Sequence, residues 1–207
     1  MKLYDFPGAP NPRRVKIFAA EKGLDLELVS VDLPGMEIKK PPFLAKNPSG
    51  KIPVLELDDG TCLSESVAIC RYLESVQPEP NLFGETPLEI AEIEMRHRHI
   101  ELELLAYIGW AWVNGPIVAA AGLVEPIAEM EKRGRGLTRQ YYERLDRELS
   151  ERDYVGGARF SVADITALCV TEFASKMVNL KPDDALAHYW DWHKRVSSRQ
   201  SAIDHPA

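Results

Sequence analysis

Cysteine is scarce in this 207-residue chain: Cys62, Cys70 and Cys169 stand far apart and form no C-x-x-C pair. That argues against a disulfide framework or a zinc site, so no metal is expected, and a reducing cytoplasm is the natural home. A secretion signal is missing too, because Met1-Lys2-Leu3-Tyr4-Asp5-Phe6 carries an acid at its fifth position and no apolar h-region. No run of about 18 apolar residues is evident, which removes the expectation of a membrane span. Nor is there an excess of positive charge. With 25 Lys and Arg against 32 Asp and Glu the net charge is -7, so neither nucleic acid nor an anionic membrane is the expected partner. What remains is the composition of a globular protein, 45% hydrophobic and 28% charged, long enough for two modest domains.

The first part alternates strands and helices. Lys2 to Phe6 reads as a strand, and Asn11-Pro12 as the start of a helix with Asn as N-cap, ending at Gly23. Leu26 to Val31 is a second strand, Pro53 to Leu57 a third, Asp58-Asp59-Gly60 a hairpin turn, Thr61 to Leu63 a fourth, and Glu65 to Val76 a helix. This β-α-β-(α)-β-β-α order is that of a thioredoxin-like domain, residues 1–78. A Pro-rich linker, 79–86, leads to residues 87–207, whose patterning is helical throughout. Leu88 to about Val113 is expected to be one long helix, with breaks at Gly115-Pro116 and at Gly134-Arg135-Gly136. Ser161-Val162-Ala163-Asp164 is a capping box, with Phe160 and Ile165 as its hydrophobic staple, which makes Asp164 structural. His97 and His99, two apart on a helix, face different ways and make no metal pair; a solvated or interdomain place is expected.

The most informative stretch is Asn47-Pro48-Ser49-Gly50-Lys51-Ile52-Pro53-Val54, followed by Leu63-Ser64-Glu65-Ser66. An Ile-Pro step running straight from a turn into a strand suggests a cis bond. Such a bond turns the amide and carbonyl of Ile52 outward, where an extended peptide can pair with them as an added strand. Glu65 and Ser66, at the mouth of the next helix, then grip that peptide's amino end.

Three segments, Asn47-Pro48-x-Gly50-Lys51-Ile52-Pro53, Glu65-Ser66 and Phe160-Ser161-x-Ala163-Asp164-Ile165, occur in the order and spacing of the cytosolic glutathione transferases, which the chain resembles over nearly its whole length. Pro7 to Val15 and Glu101-Leu102-Glu103-Leu104-Leu105 look closest to the fungal and bacterial subgroup that lacks the usual catalytic Tyr, Ser or Cys. The resemblance implies a thioredoxin-like domain that binds glutathione and an all-helical domain that contributes the electrophile pocket. It assigns the cysteinyl unit of glutathione to the Ile52 backbone, exposed by cis Pro53, and the γ-glutamyl group to Glu65 and Ser66. The glycyl carboxylate falls to Lys51, assisted by Lys39 or Lys40; Ile38 and Gly50 stand where several members have histidines. It further implies a cytoplasmic homodimer, each small domain lying against the partner's helical domain. Tyr107 and Trp110 are the expected pocket residues.

Ala9 falls where the family has its catalytic serine or cysteine, and Tyr4, near the tyrosine alternative, reads as a packed aromatic. Ala9 donates no hydrogen bond, so thiolate stabilisation must come from elsewhere. Lowering a thiol by about two pKa units needs roughly 2.7 kcal/mol. A helix N-terminus supplies roughly 0.3 to 2, and one charge-assisted hydrogen bond about 1.5 to 3. Asn11 is the first candidate donor and Asn114 the second. With no cysteine between Ala9 and Pro12, a thiol-disulfide oxidoreductase using a protein thiol is excluded. The expected activity is conjugation of glutathione to hydrophobic electrophiles, of the detoxification type. The alternatives are a non-catalytic transferase-like binding protein, or glutathione-dependent reduction of peroxides or disulfides.

Overall fold

A computed structural model describes residues 1–207, which fold as two compact units, Met1–Leu82 with Arg199–Ala207, and Phe83–Ser198. In the first unit the strands β1 (Lys2–Asp5), β2 (Glu27–Ser30), β3 (Val54–Glu56) and β4 (Cys62–Ser64) lie in the order β2-β1-β3-β4. β1 runs parallel to β2 and antiparallel to β3, which pairs antiparallel with β4. The helices are α1 (Pro10–Glu21), α2 (Pro41–Leu44, after a 3-10 turn at Glu37–Lys39) and α3 (Ser66–Val76). Alternation along the strands sends Leu3 and Leu55 into a core shared with Val15, Phe18, Ile69 and Leu73 of α1 and α3. A second cluster, Val31, Phe43 and Val54, gathers Tyr4, Leu33, Ile38, Ile52 and Cys62 around it. This is the thioredoxin-like architecture expected.

Two details of this unit differ from expectation. α1 begins one residue before Asn11: Ala9 is the N-cap, without a side-chain capping bond, and Pro10 is the first helical residue. The pair Pro10 and Pro12 suits a first turn whose N–H groups have no intrahelical partner anyway. The last nine residues also leave the helical unit, where 87–207 had placed them. Arg199 reaches Glu21 with two bonds of 2.8 and 2.6 Å, Ser201 Oγ donates to Glu21 at 2.5 Å, and Arg13 Nε donates to the carbonyl of His205 at 2.7 Å. Burial works to raise the pKa of Glu21, and the bonds from Arg199 and Ser201 outweigh it, so the carboxylate titrates below its usual range. These contacts fold the short α10 (Gln200–Asp204) onto α1.

The second unit contains α4 (Pro87–His99), a π-turn (Ile100–Leu105), α5 (Ala106–Val113), α6 (Pro116–Ala120), α7 (Ala128–Leu149), α8 (Val162–Met177) and α9 (Ala187–Ser197). Thr86 caps α4 by accepting from the Glu89 amide at 3.2 Å. The helical stretch Pro87–Ala120 holds an 18-residue window of mean hydropathy 1.2, so an apolar segment of spanning length exists after all; 28% of that window is buried. Its acids are paired, Glu101 with Arg98 at 2.8 Å and Glu103 with Arg144 at 2.7 Å, and Gly115-Pro116 interrupts it, which is how a helix facing water on one side behaves.

α8 is the centre of this unit, buried from Val162 through Thr171. The capping box forms as expected, and Asp164 does more than cap. Its carboxylate accepts from Ser161 N and Oγ at 3.0 Å each, from Val155 N at 2.7 Å and from Trp192 Nε1 at 2.8 Å. Burial pushes its pKa up against those donors. His97 is not solvated: it is fully buried, its Nε2 2.8 Å from Thr166 Oγ1. Because Thr166 donates to the Val162 carbonyl, the imidazole Nε2 is the donor of that pair.

Gly134 does not break a helix. α7 runs straight through it, and a Cβ there would meet the Tyr107 carbonyl at 2.6 Å and the Ala111 amide at 2.8 Å. The glycine lets α7 cross α5 backbone to backbone. Gly136, two residues on, has nothing within 4 Å of such a Cβ. The two positions should therefore answer in opposite directions to the same change. Gly134→Ala is expected to lower the unfolding free energy, read from urea midpoints, by about 1 to 3 kcal/mol for overpacking, whereas Gly136→Ala is expected to raise it by up to about 1 kcal/mol through helix propensity.

Candidate functional site

The turn before β3 is held by one side chain. Asn47, buried, donates from Nδ2 to the Lys51 carbonyl at 2.7 Å and accepts at Oδ1 from Ser49 N at 3.1 Å and Ser49 Oγ at 2.9 Å. Gly50 closes it with φ 60°, its amide bonded to the Asn47 carbonyl at 2.9 Å. The chain leaves the turn through Ile52-Pro53, whose peptide bond is cis as expected. Neither the amide nor the carbonyl of Ile52 bonds any other group of the chain, so both stand available along one edge.

That edge borders a cleft of about 290 Å³ lined by Ala9, Asn11 and Pro12 from the start of α1, by Leu33 and Ile38, and by Gly50, Lys51 and Ile52. A Cβ on Gly50 would meet the Ile38 carbonyl at 2.8 Å and Lys39 Nζ at 3.0 Å. This explains why Gly50 has no room for a histidine, and it places the Lys39 ammonium next to Gly50, one residue from Lys51. Lys40 is exposed, as Lys39 is, and its carbonyl accepts from Phe43 and Leu44 at the start of α2.

The β3–β4 register pairs Val54 with Ser64, which brings Glu65 and Ser66 alongside Ile52 and Pro53. Glu65 is held at φ 66°, ψ 109°, a strained conformation for a residue with a side chain, and its carboxylate is exposed. Ser66 opens α3, whose first internal bond runs from the Ile69 amide to the Glu65 carbonyl, leaving the earlier amides to a ligand or solvent. Sequence reasoning missed the partner behind it: the guanidinium of Arg14, 1% exposed, donates to Ser66 Oγ at 2.6 Å. One lone pair of the hydroxyl is thus taken, and its proton is left to donate forward. The clue was Arg14 itself, a cation on the apolar face of α1.

At the cleft's other end the two prolines decide what α1 offers. Pro10 and Pro12 have no N–H, and the Arg13 amide bonds the Ala9 carbonyl at 3.3 Å. The backbone N–H of Asn11 is therefore the one unpaired amide of the first turn, and the Asn11 side-chain amide has no partner in the chain. Tyr4 is no rival donor. Its hydroxyl bonds Glu56 at 2.7 Å, and burial raises its pKa, as does that bond.

The remaining candidates belong to the helical unit. Asn114 is committed to structure: Nδ2 donates to the Trp110 carbonyl at 2.9 Å and Oδ1 accepts from the Ile127 amide at 2.8 Å, tying the end of α5 to the entry of α7. Tyr107 and Trp110 lie with ring centroids 5.6 Å apart and planes tilted by 56°, but Tyr107 lines a polar cleft with Glu103, Gln140 and Arg144 rather than an apolar pocket. The apolar cavity of this unit lies instead against Trp112 and Ile117.

Comparison with known proteins agrees with this geometry. Family models described as "Glutathione S-transferase, N-terminal domain" and "Glutathione S-transferase, C-terminal domain" match residues 3–81 and 108–200. Glutathione S-transferase 2 of Saccharomyces cerevisiae is 40% identical over 97% of this chain and 87% of that protein. The chain belongs to the glutathione S-transferase family. The crystal structure of Gtt2 from Saccharomyces cerevisiae superposes with a TM-score of 0.93 at 37% identity, covering 100% of both chains. A further relative, Elongation factor 1-gamma 2 of Oryza sativa subsp. japonica, is 32% identical over 81% of this chain but only 38% of its own length. In this member of the family the Gly50 turn is the least forgiving part of the cleft. Gly50→Ala, forced into a left-handed conformation against the Ile38 carbonyl, is expected to lower the unfolding free energy by about 2 kcal/mol, read from denaturant midpoints.

Proposed function

We propose that the chain binds glutathione in the cleft of its first unit and uses the tripeptide's thiolate to attack a hydrophobic electrophile. The observation that carries this reading is the unpaired backbone of Ile52 with Glu65 and Ser66 on one side and Lys51 on the other. The cysteinyl unit pairs with Ile52 as an added strand. The γ-glutamyl carboxylate takes the Ser66 hydroxyl and the first amides of α3, backed by Arg14, and the γ-glutamyl ammonium takes Glu65. The glycyl carboxylate takes Lys51 and Lys39. The thiol then faces the start of α1, where the Asn11 N–H and side-chain amide stabilise it as thiolate. Its proton leaves to water, the sulfur lone pair forms the bond to the electrophilic carbon, and the displaced group departs with its electron pair. Orientation and electrostatic stabilisation supply the rate.

A second reading, a transferase-like binding module without turnover, is favoured by Ala9 and by the similarity to the elongation factor. The two readings separate on the state of bound thiol. Followed by the ultraviolet absorbance of thiolate, bound glutathione should titrate below its free value. Asn11→Ala, which removes the side-chain donor and keeps the backbone one, should raise that pKa by about one to two units, the worth of a charge-assisted hydrogen bond. Ala9→Ser, restoring a donor, should lower it. Glutathione titrating like free thiol in the wild-type complex would leave only the binding module.

The same reading includes a cytoplasmic, detoxification-type homodimer. Leu88 and Met95, exposed by 70% and 48%, lie on one face of α4 with the small Ala91 between them, and Leu102 on the π-turn is 63% exposed. Such a stripe marks an interaction surface more often than a solvated one. Sedimentation equilibrium should give twice the 23.3 kDa chain mass at micromolar concentration. Met95→Glu should shift the protein to monomer without moving its circular dichroism; a monomeric wild type would sink the proposal.

A further inference from the structure

In the first unit the sheet outruns the helix that covers it. β2 is an edge strand, and its register sets Leu28 beside Leu3, on the same face of the sheet. Leu3 is fully buried, yet Leu28 is 51% exposed, because α1 packs on β1 and leaves the edge open. The space there is a cavity of about 370 Å³ that shares no residue with the cleft of the candidate site. Ala20, Leu24, Leu26 and Leu28 give it apolar walls, and Asp204 and His205 of the returning C-terminal segment line it as well. The remaining charge around it is of one sign. Lys16 donates to Asp5 at 2.7 Å, which neutralises the ammonium. Asp25, also in the lining, has no partner in the chain, and Asp204 spends one oxygen on the Gln200 side-chain amide at 2.7 Å. Asp5, 6% exposed, keeps a buried Oδ1 without a partner, and its charge is felt at His205. His205 adds no positive charge. Burial, and then the Lys16 ammonium, hold it below its ordinary pKa, so its neutral ring has a nitrogen to accept with.

Apolar walls with a few unspent acceptors at their edge suit a ligand with an apolar body and a positive head. A primary ammonium brings three N–H donors, and Asp25, Asp204 and His205 put three acceptors on one cavity. The volume lies near the lower end of the range for ligand pockets, about 300 to 1,000 Å³, so the body is a single ring with a short arm rather than a long chain. We propose that this cavity is a binding site for small apolar primary amines, the body seated against Leu24, Leu26 and Leu28 and the ammonium held by Asp25 and Asp204.

Backbone amide shifts of the isotope-labelled full chain, titrated with phenethylammonium, test this. The shifts should saturate and gather on Gly23, Leu24, Leu28 and His205. Phenethyl alcohol, with the same body and no charge, should bind about three- to tenfold more weakly, the worth of one or two exposed charge pairs. Phenylpropanoate, an anion, should bind more weakly still. Asp25→Asn and Asp204→Asn, both at exposed positions where folding is spared, should each bring the amine toward the level of the alcohol and leave the alcohol where it was. Leu28→Ser should weaken amine and alcohol alike. Saturating glutathione should leave the amine affinity unchanged, which keeps the outcome separate from the fate of the glutathione reading. Amine and anion binding equally well, shifts gathered elsewhere, amine binding unmoved by both Asp variants, displacement by glutathione, or no saturable binding would each overturn the proposal.

Discussion

The candidate site depends on the side-chain amide of Asn47. Buried under the turn, it substitutes for backbone partners that residues 49 and 51 lack, and so shapes the chain that delivers Ile52. Everything useful in the cleft is backbone or is set by backbone: the unpaired Ile52 groups, the Gly50 approach to Ile38, and the place of Lys51. Only β-ladder register is needed to add Glu65 and Ser66, because Val54 opposite Ser64 puts the strand's entry beside the helix's entry. A single polar residue thereby fixes where three segments meet.

Charge is arranged around that frame in layers. The exposed carboxylate of Glu65 and the amides of α3 face outward, while Arg14 sits behind Ser66, almost wholly buried. A guanidinium held in a poorly solvated place strengthens the field at the helix mouth beyond what the helix dipole gives alone. The serine between them does two things at once, accepting from the cation and keeping a proton to donate. Such a relay is specific to a hydroxyl, and an alanine or a carboxylate at the same place would not reproduce it.

Much of this was legible in the sequence, for reasons that differ by element. The thioredoxin-like order followed from turn residues and alternation, and the site motif from the unusual Ile-Pro-Val step, because those signals are local. The capping box at Ser161 and Asp164 was legible for the same reason. What was hidden depends on distant partners. Gly134-Arg135-Gly136 looks like a break until α5 is found to need a glycine there. The burial of His97 beside Thr166, the return of Arg199 to Glu21, and the use of both polar atoms of Asn114 are all contacts across long loops. Asn11 was singled out for the right cleft but the wrong helical position, since Ala9 is the N-cap and the prolines on either side of Asn11 hide the true start.

Those prolines bear on how a member of this family can do without a side-chain hydroxyl at position 9. In an ordinary first turn several N–H groups compete for water and for any nearby anion. Here Pro10 and Pro12 remove two of them and lock φ, so the partial positive charge of the helix end is expressed through the amide of Asn11. A backbone donor needs no rotamer to be frozen, and the cleft it borders is lined by the apolar Leu33, Ile38 and Ile52. On the proposed reading, specificity for a single anionic atom arises by subtraction, from donors that are absent, and the residue at position 9 is freed to be small. On that reading Ala9 leaves the amide open to the thiolate, and a side chain as small as serine would add a second donor beside it.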